Sequence, residues 1–253
     1  VIKVWVPPFN YCTTHPLGEG LSVAPETIPA SEKCKEDISN GNNTNFVECK
    51  IRYIFDLSGK LALQCDIVIP SSWPVLPRVG LKVLVPKAFE DVRWFGLGPH
   101  ENYPDRKSSA YKGLHRSNVD KLFVPYIRPG ECSARCETSF IEMKQISHYN
   151  GLEENNMVSV VFGSTEPFTF GVLRYLAEDM NVRHPQDLEE RPFNVVSLDY
   201  KHMGVGGDDS WSASVHDEFV IKPGKFRFAF VMKGYLGEGY GDMSCEKILT
   251  DIS

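Results

Sequence analysis

Residues 45–57, NFVECKIRYIFDL, place Val47, Cys49, Ile51, Tyr53, Phe55 and Leu57 at every second position. A period of two belongs to a pleated strand, whose successive side chains point to opposite faces; an amphipathic helix would repeat its apolar positions every three to four residues. SGK then turns the chain, and LALQCDIVI alternates Leu61, Leu63, Cys65, Ile67 and Ile69. Two alternating runs about a glycine turn predict a β-hairpin with a buried face. Near the other end, DEFVI, a KPG turn and the alternation of Phe226, Phe228, Phe230 and Met232 with Arg227, Ala229 and Val231 predict a second hairpin.

Between the hairpins lie short apolar runs separated by turn residues: VRWFGLGP, LFVPYIRPGE, NMVSVVFGST, PFTFGVLRY and NVVSLDY. Prolines at 99, 104, 125, 129, 167, 185 and 192 would break helices but cut a β chain into pieces of ordinary strand length. Only SSAYKGLH and AEDMNVRHPQDLEE suggest helical turns, and the polar stretch 17–45 reads as a surface loop. The expected fold is all-β, two antiparallel sheets packed face to face, with residues 1–253 as a single domain.

Composition narrows the function. A formal charge of −6, with lysines and arginines scattered, offers no stripe to neutralise a phosphate backbone, so nucleic acid is not an expected partner. Apolar runs such as PVLPRVGLKVLVP are interrupted well short of the roughly 20 residues of a membrane helix, so no membrane partner is expected either. The chain opens VIKVWVPPFNYC without an initiator methionine or a signal peptide, as a mature or excised fragment would. Seven cysteines (Cys12, Cys34, Cys49, Cys65, Cys132, Cys136, Cys245) include no C-x-x-C pair and no histidine at zinc spacing. No metal or cofactor is expected, disulfides stay open, and the odd count leaves at least one thiol free or linked to another chain. Asn42 heads the glycosylation sequon NNT, which agrees with an extracellular or secretory location; cytoplasmic residence is the alternative.

Catalytic signatures are missing. No G-x-S-x-G, Walker loop or EF-hand pattern occurs, and HENYP stops short of a second histidine. GVGGDDSW lacks the third glycine and following helix of a dinucleotide fingerprint. Glycoside hydrolysis needs two carboxylates flanking one bond, and Asp208 and Asp209, as sequence neighbours, would point to opposite sides of an extended chain. No catalytic residue is therefore assigned.

Two stretches suit binding instead. HMGVGGDDSW, residues 202–211, ends a glycine-rich loop on one of four tryptophans. Trp211 is either core or a flat apolar plate for the C–H face of a sugar ring; Asp208 and Asp209 either close an Asx turn or bind sugar hydroxyls. VRWFGLGPHENYPDRKSSA, residues 92–110, shapes a turn around His100, Glu101, Asn102, Asp105 and Arg106. The plain alternative is an ion-paired corner fixed by Asp105 and Arg106. Trp94 and Phe95 precede it on opposite faces, so at least one belongs to the core.

RWFGLGPHENYPDRKSSA, VPYIRPGE, AEDM with RHPQDL, and HMGVGGDDSW with VHDEF resemble, in that order and at similar spacing, the C-terminal small-chain domain of family 2 β-galactosidases, from about Leu76 to Met232. The resemblance implies a supersandwich similar to galactose mutarotase. It implies that both catalytic glutamates and the metal ligands belong to a separate (β/α)₈ barrel that this chain does not contain, so the isolated chain is expected to hydrolyse almost nothing. It also implies that Trp211 forms a platform for galactose or a galactoside, with His100, Glu101, Asn102, His202, Asp208 and Asp209 as candidate polar partners. The remaining β-galactosidase chain or a second copy are the candidate protein partners. The chain departs from the family in lacking a segment like FWRAPTDND, and in reading RPGECSARCETSF where RPQENGNRTDVRW is common; there Arg128, Pro129, Glu131 and Arg135 keep the expected character. A secreted lectin-like galactose-binding protein is the second reading. A mutarotase-like aldose 1-epimerase is the third, although its acid–base histidines are not placed on His100, His148, His184 or His202.

Overall fold

The computed structural model describes residues 2–4, 46–145, 158–209, 215–236 and 245–252. The loop expected at 17–45, the sequon at Asn42, Cys12, Cys34 and Trp211 lie outside the described residues. The strands are β1 (Ile2–Val4), β2 (Glu48–Phe55), β3 (Lys60–Val68), β4 (Arg78–Pro86), β5 (Phe89–Gly98), β6 (Tyr111–Asn118), β7 (Arg135–Gln145), β8 (Val158–Leu173), β9 (Phe193–His202) and β10 (Lys225–Leu236). Helices α1 (Val119–Leu122) and α2 (Cys245–Ile252) accompany them. The chain is all-β and antiparallel, as its alternation predicts.

The sheet forks at β8, whose 16 residues run past two neighbours on the same edge. Its first half pairs with β10, and from there with β3 and β2; its second half pairs with β9, and from there with β4 and β1. On the other edge β7 leads to β5 and β6. The two branches then face one another. Tyr200 of β9 stacks on Phe228 of β10 at 5.2 Å, and Trp94 of β5 meets Phe170 of β8 edge-on at 5.6 Å, although neither pair of strands is hydrogen-bonded. One core between the layers takes Leu63, Cys65, Leu81, Trp94, Ile141, Phe170, Val196 and Phe230. Each such side chain contributes roughly 1.5–3 kcal/mol by leaving water. A smaller cluster on the outer face sets Phe140, Val161 and Tyr235 against Ile248 of α2, with Phe95 packed beside them. Trp94 and Phe95 thus serve opposite faces, Trp94 in the core.

Two expectations need correction. The face of β2 that carries Cys49, Tyr53 and Phe55 is not buried: Tyr53 is 51% exposed, Phe55 63%, and Leu57 beyond the strand wholly so. Among the described residues β2 is an edge strand, and on that face only Val47 and Ile51 reach the core, whereas Leu63, Cys65 and Ile67 of the inner partner β3 are covered. Alternation tells which side a residue faces, not whether anything lies opposite. SSAYKGLH, expected as a helical turn, instead runs into β6, zipped to β5 from Gly98↔Tyr111 to Asp91↔Asn118. The sheet edge offers partners to the backbone groups that point toward β5, which outweighs weak local propensity. AEDMNVRHPQDLEE does form two brief 3₁₀ turns, Ala177–Met180 and Pro185–Asp187.

Candidate functional site

Antiparallel pairing gathers the motifs. β5 ends at Gly98 beside the start of β7 at Arg135, and β9 ends at His202 directly opposite Arg78, where β4 begins. The loops 98–110, 124–134 and 203–209 therefore meet at one end of the molecule, built from segments far apart in the chain.

Its inner layer is backbone held by buried side chains. Glu101 Oε2 accepts from the Ser133 N–H at 2.7 Å, while Oε1 accepts from Arg106 at 2.5 Å and from the Tyr126 hydroxyl. Asn102, fully buried, accepts from the Cys136 N–H at 2.8 Å and donates to the His100 carbonyl at 3.1 Å; its own N–H donates to the Ala134 carbonyl. These bonds stabilise an irregular segment in which Ser133 and Glu137 adopt φ of 71° and 53°, conformations that a side chain disfavours. Arg135 donates to the Ser133 carbonyl at 2.8 Å and lies 5.3 Å from the Trp94 ring, where desolvation pushes its pKa down to about 10. Burial also pushes the Cys136 thiol up to about 11, so it resists ionisation.

Next to it, His202 is caught on every side. Nδ1 lies 2.7 Å from the Met203 carbonyl, which can only accept, so this nitrogen carries the hydrogen. Nε2 faces Arg78 at 3.0 Å and Glu131 at 3.5 Å, and Tyr103 meets the ring edge-on at 5.3 Å. Arg78 pairs with Glu131 and stands 3.6 Å from buried Asp199. Burial opposes the charge on Glu131, but the His202 ring and the Arg78 guanidinium outweigh it and hold the carboxyl down at about 2. Burial prevails at Asp199, against Arg78, and raises its pKa; it also raises that of the Tyr103 hydroxyl.

The glycine loop leaves from this frame. The Met203 N–H donates to the Pro77 carbonyl at 2.9 Å, the Gly204 N–H to the Phe219 carbonyl at 3.0 Å, and the Gly206 N–H to Asp105 Oδ2 at 2.7 Å. At the outer rim Asp208 pairs with His216, both largely exposed. His100 is exposed and lies 3.0 Å from the Ser109 hydroxyl; Asp209 is exposed as well.

Of the expected ligand partners, then, Glu101, Asn102 and His202 are buried in the frame, while His100, Asp208 and Asp209 face solvent. Trp211 lies outside the described residues. The corner is ion-paired through Arg106, which turns to Glu101, while Asp105 reaches across to Gly206. Arg78, Tyr103, Tyr126 and Asp199 were not foreseen as members; the signal for Arg78 was its place in LPRVGL, where the family resemblance begins. Cys49, Cys65, Cys132 and Cys136 are free thiols. Among the described residues no three His, Cys, Asp or Glu side chains are grouped to hold a metal ion.

Residues 21–232 match the family described as β-galactosidase small chain. The β-galactosidase of Vibrio cholerae is 37% identical over 183 residues, which cover 72% of this chain and 16% of that enzyme. That of Yersinia enterocolitica is 38% identical over 170 residues, 67% of this chain and 15% of the enzyme. That of Enterobacter cloacae is 36% identical over 178 residues, 69% and 16% respectively. The chain thus spans about one sixth of the length of the relatives it matches.

Proposed function

The chain belongs to the β-galactosidase small-chain family, and from that premise we propose that it is the carbohydrate-binding part of a β-galactosidase, contributing Trp211 as a platform for a galactoside. The bond-breaking carboxylates come from a barrel elsewhere in the parent enzyme, and this chain positions sugar. The observation that carries the reading is the fastening of the glycine loop to the 98–106 corner through Asp105, and to the end of the sheet through His202 and Arg78. Residues leading to Trp211 start from a rim whose backbone is already fixed, with His100, Asp208 and Asp209 exposed beside it to meet hydroxyls. A stacked ring with hydroxyls at its edge suits that pairing of indole and polar rim. Glu101 is not free to act on a substrate, since three donors already occupy its oxygens.

Trp211→Ala should weaken binding of isopropyl thiogalactoside by at least about 1 kcal/mol, read by calorimetry, and leave a cooperative melt. Unchanged affinity returns Trp211 to a structural role. The purified chain should scarcely cleave a nitrophenyl galactoside; a rate typical of whole enzymes overturns the assignment of chemistry to a barrel.

A further inference from the structure

Asp105 has an unusual position for a surface-loop carboxylate. Its Oδ2 accepts from the Gly206 N–H at 2.7 Å, and the same carboxylate packs close against Gly204. A Cβ built on Gly204 would stand 2.4 Å from Asp105 Oδ2, 2.6 Å from its Cγ and 2.9 Å from Phe219 Cβ, so no larger residue fits without moving the loop or the acid. Gly206 and Gly207 continue at φ of 66° and 92°. Among the described residues Asp105 Oδ1 is buried without a hydrogen-bond partner. A buried oxygen left unsatisfied costs free energy, so the carboxylate adds little net stability. What it determines is the path of Gly204 to Gly207. The neighbouring Arg106 is committed to Glu101 and Tyr126, and Asp105 bridges two loops about a hundred residues apart in sequence.

We propose that Asp105 is the positioning residue of the Trp211-bearing loop, setting by its bond to the Gly206 N–H and its contact with Gly204 the direction in which the chain leaves toward the indole. The proposal rests on the reading of Trp211 as a sugar platform. Asp105 touches no sugar; it acts through four residues of backbone. The loop has two ties at its base, from Met203 to Pro77 and from Gly204 to Phe219, and the exposed Asp208–His216 pair joins its outer part; Asp105 is the tie between them, at Gly206.

The test labels the four tryptophans with 5-fluorotryptophan and assigns the Trp211 ¹⁹F resonance by its loss in Trp211→Phe. Asp105→Ala should shift that resonance and raise the Kd for isopropyl thiogalactoside about tenfold, the scale of one lost charge-assisted hydrogen bond. Asp105→Asn keeps an oxygen for the Gly206 N–H and should recover both to within about twofold. A Trp211 resonance unmoved in folded Asp105→Ala, or equal losses in the Ala and Asn variants, overturns the proposal. Should Asp105→Ala fail to fold, Gly204→Ala, which drives a methyl into the same carboxylate, must move the resonance, and an unmoved one is equally fatal. If the parent chain binds no thiogalactoside, the platform reading falls, while the ¹⁹F shifts still decide the role of Asp105.

Discussion

The inner and outer tiers of the loop end use the same kinds of side chain for different ends. Glu101, Asn102 and His202 are buried, and every polar atom named on them meets backbone or a charged neighbour. His100, Asp208 and Asp209 sit a few residues away on the same loops and face water. A polar residue in a motif loop can thus form part of the frame or of the rim, and burial, not residue type, decides which. Residues of the frame govern whether the loops exist; residues of the rim govern what they meet.

The sharpest test of that division is Asn102→Ala. It strips the partner from the buried Cys136 N–H and removes a bond to the His100 carbonyl, in a segment that also holds two non-glycine residues at positive φ. An unsatisfied buried donor and a lost hydrogen bond together cost about 3 kcal/mol, or roughly 10 °C of melting temperature for a chain of this size. Calorimetric melts of Asn102→Ala and Asp208→Ala should separate widely. Equal losses would erase the distinction between frame and rim.

Glu131 lies between the tiers, its side chain 43% exposed yet paired with Arg78 and close to His202. Its carboxyl is held at about 2, against an ordinary value of 4.5. A depressed folded pKa contributes stability that is complete above about 4.5 and lost as the pH falls through about 2. Because solvent screens so exposed a group, Glu131→Gln should cost only about 1 kcal/mol at neutral pH. Denaturant titrations between pH 4.5 and 2 should show a shallower acid loss for Glu131→Gln than for the parent. Parallel curves would mean that the Arg78–Glu131 pair is no part of the frame.

The contrast also separates what was legible in the sequence from what was not. Strand identity follows from period two, which is local, and so the β3 and β10 faces were predicted correctly. Whether a face is covered depends on the opposite layer, and that is why β2 reads as buried while Tyr53 and Phe55 are exposed. SSAYKGLH misled for a related reason, since its backbone partners are supplied by β5. At the candidate site the motifs fall on loops that the fold brings together, because glycine, proline and acidic residues gather where the chain turns. They could not divide frame from rim: Arg78 and Glu131 come to His202 from two distant segments, Asp199 lies three residues before it on β9, and only the pairing of β4 with β9 brings Arg78 to both.

At the far end of the scale stands the pair Asp208–His216, which joins the chain on either side of Trp211. Its hydrogen bond and charge, with smaller contributions from Glu218 and Asp105, raise the His216 pKa above the ordinary 6.5. A raised folded pKa gives a contribution that is complete below 6.5 and fades as the pH rises through the higher folded value. Both side chains are more than half exposed, so His216→Gln should leave the melt where it was at any pH. NMR titration of the His216 ring should give a midpoint above 6.5 in the parent, moving back toward 6.5 in Asp208→Asn. A rim pair detectable by titration but not by melting is what the division between frame and rim requires. A melt that falls with His216→Gln as far as with Asn102→Ala would place this histidine in the frame and break the division between frame and rim.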